Sequence, residues 1–297
     1  MIRHLLLVLT VLSGWSEGYS QLKKFYTVKG EVTYDTIDFM LKATSGTCFI
    51  KPSHHEDPLT IYGNPSFADV NPTFQTQQKG NTNFIVLELQ DYNKRGLSHA
   101  ITYNMFGEED KSEKNYWKVY LTEEKVYNLN LSYGVGDAHI NLSDVPVSKF
   151  ILESGSANVH ISYDEGKWNK CKMDTFAVNV DMGTLIVERM HRSNVGYVMA
   201  EVGFGNVVLD FSEGVDYKCK IKASIGAGQL KILVPEKAFP SIVNYKNSPL
   251  CKISLDEKFE KVDEGLYINE SFDPAAENLM EFDLDVALGN IVFEYVK

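Results

Sequence analysis

The sequence predicts an all-β chain whose mature part forms a single β-solenoid, a β-helix of about seven or more rungs with loop excursions. Three observations carry that expectation: a twelve-residue tract that aligns seven times without a gap, apolar residues with a period of two inside each tract, and a near-constant distance between successive copies. Self-similarity at a fixed period is the signature of stacked repeats.

At the N-terminus, Met1-Ile-Arg-His is positively charged and leads into the apolar run Leu5 to Leu12. That run is too short to span a bilayer as a helix, and the charge-apolar-small order is that of a signal peptide. Gly18-Tyr19-Ser20 offers the small residues a signal peptidase requires, so residues 1–20 are expected to be removed between Ser20 and Gln21. The first cysteine is Cys48, far from that cut, which argues against a lipid anchor there. The mature chain is therefore expected to be exported, either periplasmic or extracellular. Its net charge of −11 disfavours nucleic acid and anionic membrane surfaces as partners. No later stretch is apolar enough for a membrane span.

The seven tracts begin at Phe39, Leu129, Phe150, Phe176, Val198, Ile221 and Phe282. Positions one, three, ten and twelve are apolar in every copy, and position eight is Gly in all but one, where Ala157 stands. A period of two places alternate side chains on one face of a strand, so these positions share a core. Glycines at positions six and eight, as in Gly134 with Gly136 and Gly203 with Gly205, supply backbone freedom for a bend, so each tract reads as strand, corner, strand. Position nine is always polar, as at Thr47, Asp137 and Asn206, and can hydrogen-bond turn backbone. Starts at 129, 150, 176, 198 and 221 lie 21, 26, 22 and 23 residues apart, the spacing of one coil per unit. The competing architecture, a β-sandwich, also suits short strands at regular spacing but does not require the same corner at the same offset.

Two excursions interrupt the series. The first, from 50 to 129, holds Pro52, Pro58, Pro65 and Pro72, a strand over 84–89, a charged loop over 107–115 and a strand over 116–121. The second, from 233 to 281, holds a strand-like run over 250–255 and a weak helix signal of one or two turns over 274–280, and is expected to carry an irregular rung or a C-terminal cap. Residues 21–121 thus read as the N-terminal part of the solenoid with a long excursion. Residues 122–297 read as the regular repeat with its cap, within one continuous structural domain.

The order Trp117-Lys-Val-Tyr-Leu121, Leu129-Asn-Leu131-Ser-Tyr-Gly134-Val-Gly136-Asp, Asn141-Leu142-Ser143, the Gly-x-Gly tracts and Ile232-Leu-Val-Pro235 resembles the toast-rack β-helical domains. These include the C-terminal domain of LiaF-type cell-envelope stress regulators and related adhesin-like domains. The likeness covers essentially the whole mature chain and implies a fold rather than an activity. This chain departs from the LiaF-type regulators in carrying an export signal in place of transmembrane helices.

No residue is assigned a catalytic, cofactor-binding or metal-binding role. His54-His55-Glu56-Asp57 is the one tight run of metal-ligating types, but consecutive side chains point different ways and no second pair stands at helical or hairpin spacing. His139 and His160 share position eleven and should stack, giving two ligands where zinc needs three or four. Gly134-Val-Gly136-Asp137 lacks the Lys-Ser/Thr and helix of a phosphate loop. Glu108-Glu109 and Glu123-Glu124 read as surface runs, and no nucleophile-elbow or Cys-Gly-x-Cys signature occurs. Cys48 is expected to be a buried free thiol, with at most one disulfide among Cys171, Cys219 and Cys251.

The functional expectation is an exported, non-enzymatic envelope or secreted scaffold or binding module for an envelope protein or a glycan. Position eleven, in the order Phe49, His139, His160, Ile186, Val208, Lys231 and Val292, should form an outer strip in which Ile186 and Val208 are neighbours and offer a surface for a partner or for self-association. The alternative is a carbohydrate-active β-helix enzyme or glycan-binding protein, with some of the 16 Tyr and 3 Trp stacking on sugars.

Overall fold

The computed structural model describes residues 23–31, 33–63, 70–91, 116–235, 239–246, 248–255 and 257–296. The export signal at residues 1–20, Pro65 and the charged loop over 107–115, with Glu108-Glu109, lie outside them. The first eight strands are β1 (Lys23–Val28), β2 (Thr36–Pro52), β3 (Leu59–Gly63), β4 (Val70–Lys79), β5 (Thr82–Asp91), β6 (Tyr116–Leu121), β7 (Val126–Asn141) and β8 (Val147–Ser162). The rest are β9 (Thr175–Val187), β10 (Tyr197–Asp210), β11 (Cys219–Pro235), β12 (Ser241–Tyr245), β13 (Cys251–Ser254), β14 (Phe259–Asp263), β15 (Leu266–Asn269) and β16 (Met280–Val296). All belong to one 16-stranded sheet.

The seven repeat tracts are the seven long strands. They stack in parallel in the order β2-β7-β8-β9-β10-β11-β16. The gapless sequence alignment is their register: Phe39, Leu129, Phe150, Phe176, Val198, Ile221 and Phe282 face one another from rung to rung. The chain is an all-β solenoid.

Each long strand bends at its corner. Before the corner, positions one, three and five point inward, as do Phe39, Leu41 and Ala43; after it, Cys48 and Ile50 at ten and twelve do. That change of parity needs a residue outside the ordinary pleat. Glycine at position eight supplies it, with φ from 127° at Gly46 to 147° at Gly228, where L side chains rarely go. A Cβ at Gly205, Gly228 or Gly289 would also lie well under 3.0 Å from the carbonyl oxygen of the glycine in the preceding rung. Ala157 in β8 fills the same position without a positive φ.

The two arms of each strand close around an interior completed by the short returns between rungs. These returns bury Leu142 and Val145, Tyr163 and Met173, Met190 and Val195, and Phe211 and Val215. Asn169 ties its return to the start of β8 and to the next return: its side chain accepts from Val147 N at 2.8 Å and donates to Val147 O at 2.8 Å and Ser193 O at 2.9 Å. Inside, Phe150 and Phe176 stack at 5.1 Å between ring centroids. Burying a side chain of this class contributes about 1.5–3 kcal/mol.

Both excursions contain a rung cut in two. β5 pairs in parallel with the first arm of β2 and β6 with its second arm, on the side away from β7. β12 and β13 do the same beside the two arms of β16. The strands expected over 84–89, 116–121 and 250–255 are therefore β5, β6 and β13. Antiparallel strands cap these split rungs: β4 on β5, β3 on β6 and β1 on β3 at one end, β15 on β12 and β14 on β15 at the other. The helix signal over 274–280 is overturned, because this segment is a series of turns in which the Asp273 carboxylate accepts from Ala275 N at 2.8 Å. Among the described residues the one helical element is a single 3-10 turn, Met190–Ser193.

Candidate binding surfaces

The corner carries an exposed apolar column. Position seven, just before the corner glycine at position eight, holds Met182, Phe204, Ala227 and Leu288 in four successive rungs, in register. Met182, Phe204 and Leu288 are 46%, 63% and 50% exposed. Leu250, 65% exposed, continues the column, since its carbonyl accepts from Gly289 N at 3.0 Å. Among the described residues, four of the seven large hydrophobic side chains that stand exposed thus fall in one line. The N-terminal rungs differ: Ser45 and Ser156 are polar, and Val135 is buried. Sequence reasoning passed over this ridge because position seven was read only as part of a turn. The signal was present in Gly203-Phe204-Gly205, a large aromatic side chain in a corner where nothing can cover it.

The expected outer strip is formed as well. Phe49, His139, His160, Ile186, Val208, Lys231 and Val292 lie in one column, and Ile186 and Val208 are direct partners, both half-buried. Phe49 stacks on His139 at 5.2 Å, and His139 meets His160 edge to face at 6.4 Å. His160 Nε2 lies 3.0 Å from Glu188 Oε1.

The remaining candidates stay apart. His54, His55 and Glu56 are exposed on the loop after β2, while Asp57 pairs with Lys29 at 3.1 Å. Glu123 and Glu124 are exposed. Asp137 in the Gly134-Val135-Gly136-Asp137 corner accepts from Asn158 Nδ2 at 3.2 Å. No cluster of three or more His, Cys, Asp or Glu side chains is placed to hold a metal among the described residues. All four cysteines are free, and burial pushes the Cys48 and Cys219 thiols up to about 12, far from thiolate chemistry at neutral pH. A polar groove of about 590 Å³ crosses the first arms of β2, β7, β8 and β9, with Lys42, Ser132, Glu153 and Asn179 along its wall.

A cluster of the buried His191 and Arg192 with the exposed Glu213 binds the returns together. Arg192 donates from Nε to His191 Nε2 at 3.1 Å and from Nη2 to Glu213 Oε1 at 3.0 Å and Oε2 at 3.2 Å. The Trp168 ring packs edge-on to His191 at 5.7 Å and beneath the Arg192 guanidinium at 6.0 Å. His191 is 2% exposed, and its burial holds its pKa below the ordinary histidine value, with Arg192 adding to that and Glu213 opposing it. The cluster is a clamp between the β9–β10 and β10–β11 returns.

Residues 37–188, just over half of the chain, match the family described as the N-terminal domain of toast_rack, DUF2154. Among solved structures the chain is similar to a candidate cell adhesion protein from Clostridium sporogenes, with 14% identity over 93% of this chain and 100% of that one, at a TM-score of 0.45. It is similar too to a candidate adhesin from Bacteroides fragilis, with 13% identity over 92% and 97% of the two chains and a TM-score of 0.28. A candidate lipid-binding protein from Parabacteroides distasonis shows 12% identity over 95% and 98%, with a TM-score of 0.28. No protein of curated function matches the chain. With the family match lying across the four full rungs β2, β7, β8 and β9, the chain belongs to the toast-rack family.

Proposed function

We propose that this chain is an exported, non-enzymatic binding module, a rigid scaffold at the cell envelope or outside the cell that holds a protein partner along its corner ridge. The observation that carries this reading is the exposed column of Met182, Phe204, Leu288 and Leu250. Scattered exposed apolar residues need no explanation, but a contiguous column in register marks a contact surface, because covering it releases roughly 25 cal/mol per Å². The outer strip with Ile186 and Val208 is the second contact surface, used for the partner or for self-association. Export rests on residues 1–20, and the non-enzymatic reading on the scatter of the nucleophilic and acid-base side chains described above. Among the described residues no helix is long and apolar enough to cross a membrane.

The test compares the mature chain with Phe204→Asp and with the pair Ile186→Lys, Val208→Lys in pull-downs from envelope extract and in sedimentation. Each variant should fold and lose association, with Phe204→Asp losing most. Unchanged association in both would remove the two surfaces. Release of sugars from a glycan panel, abolished by changing surface carboxylates, would instead make the chain a carbohydrate-active enzyme.

A further inference from the structure

We infer that the N-terminal end of the outer face is a binding site for an acidic saccharide, one whose sugar rings carry carboxylates. The site is built by the second arm of β2 and the parallel β6, in which Thr47, Phe49 and Lys51 face Tyr116, Lys118 and Tyr120 in register. The alternate residues Cys48, Ile50, Trp117 and Val119 are buried, so all six of these side chains point outward. Thr47, Phe49, Lys51, Tyr116 and Lys118 line a depression of about 320 Å³. That volume stands at the small end of ligand pockets and suits one or two sugar rings.

Its chemistry is that of two cations set about one aromatic ring. The ammonium of Lys51 lies 5.7 Å from the centre of the Phe49 ring, and that of Lys118 lies 5.8 Å from Phe49 and 5.9 Å from Tyr116. Lys29, Lys42, Lys167, Lys170, Lys218, Lys231 and Lys246 each meet a carboxylate. Lys51 and Lys118 meet none within 4.0 Å among the described residues. In a chain of net charge −11, two cations bracketing an aromatic ring, without a counter-ion among the described residues, form a local inversion of sign. An anionic ligand is recruited against the general field, and its carboxylates accept charge-assisted hydrogen bonds from the two ammoniums. Tyr116, and the part of Phe49 that His139 leaves uncovered, give the apolar faces of sugar rings a surface on which to lie. A bare inorganic anion would use the lysines and leave the aromatic faces idle, which is why the site favours a sugar acid. His139, stacked on Phe49, extends the platform along the stack.

This site is separate from the corner ridge and lies at the Phe49–His139 end of the outer strip, away from Ile186 and Val208. The full mature chain is to be titrated calorimetrically with tetragalacturonate, with its uncharged methyl ester and with inorganic phosphate. Tetragalacturonate should bind, the ester and phosphate should not, and affinity should fall as salt rises. Lys118→Gln and Lys51→Gln should each weaken binding roughly tenfold with unchanged melting, since one partner of a charge-assisted bond is lost. Phe49→Leu should weaken it while leaving the salt dependence in place. Absence of tetragalacturonate binding, equal binding of the ester or of phosphate, or indifference to both lysine substitutions would overturn the inference. None of these results touches the Phe204 test, so the two readings fail independently.

Discussion

The full rungs are parallel, in register and bent at one shared corner, whereas the strands that close the two ends are shorter, pair antiparallel with their neighbours and have no common corner. Translational stacking cannot finish itself, because every rung added presents the same unpaired edge as the one before. The caps solve this by abandoning the repeat. Their outermost strands carry polar side chains in place of a template for another rung: Gln75, Thr76, Gln77 and Gln78 on β4, and Glu260, Lys261 and Asp263 on β14. Chain order serves the same end. β5 and β6 follow β2 in sequence but lie outside it, and β16 comes last yet is inserted between β11 and the split rung of β12 and β13.

The sharpest way to break this contrast is at the glycines. Gly205→Val and Gly228→Val place a branched side chain both in a forbidden φ region and against the carbonyl of the preceding rung, so each should cost several kcal/mol or abolish folding. Gly80, in the β4–β5 turn at φ 60°, has nothing within 4 Å of an added Cβ. Gly80→Ala should cost only about 1 kcal/mol, the strain of the backbone alone. Equal shifts in denaturant midpoint at the three sites would show that the corner column is not what holds the rungs in register.

Side-chain deletion should separate the regions next. Phe150→Ala removes a fully buried ring from the column and should cost about 3–5 kcal/mol. Val262→Ala in β14, more than half exposed, should stay within about 0.5 kcal/mol. A pH titration of stability sharpens the picture further, because His191 lies in the rungs rather than the caps. Its folded pKa is held below its unfolded value, so below about the ordinary 6.5 the unfolded chain takes up a proton that the folded chain refuses. Stability should fall as pH drops through that value, and His191→Asn should flatten the decline. The smallest effect is chemical: thiol counting in denaturant without reductant should find four free thiols, and any smaller number would reveal a disulfide that the fold does not need.

The rungs were legible in the sequence because three independent constraints coincide on the same residues: alternation, the corner glycine and the spacing. Phe39 through Phe282 could be aligned without knowing what any rung touched. The split rungs were half legible. β5, β6 and β13 alternate like the others, but no glycine marks a corner between Tyr245 and Cys251, so nothing announced that β12 and β13 form one interrupted rung. β4 was missed because Pro72 and a run of Gln and Thr read as loop, and Pro72 is tolerated only because β4 is an edge strand. The signal over 274–280 failed for want of length, since Asp273 can satisfy the backbone locally and no apolar face calls for a helix. The corner ridge escaped for a different reason. Alternation assigns residues to an inside or an outside, and position seven stands at the place where that parity changes.

The insertion of β16 between two neighbours has a mechanical consequence. A load lifting an outer strand from one end meets the hydrogen bonds of its ladder one after another, whereas a load directed along a strand is shared by the whole ladder at once. β16 has sixteen partner residues on β11 and further ones on β12 and β13, so a pull on its C-terminal end along the strand is resisted in shear from both sides. Among the described residues β1 pairs on one side, with five residues of β3. Under tension along the strands, β16 should therefore hold longer than β1.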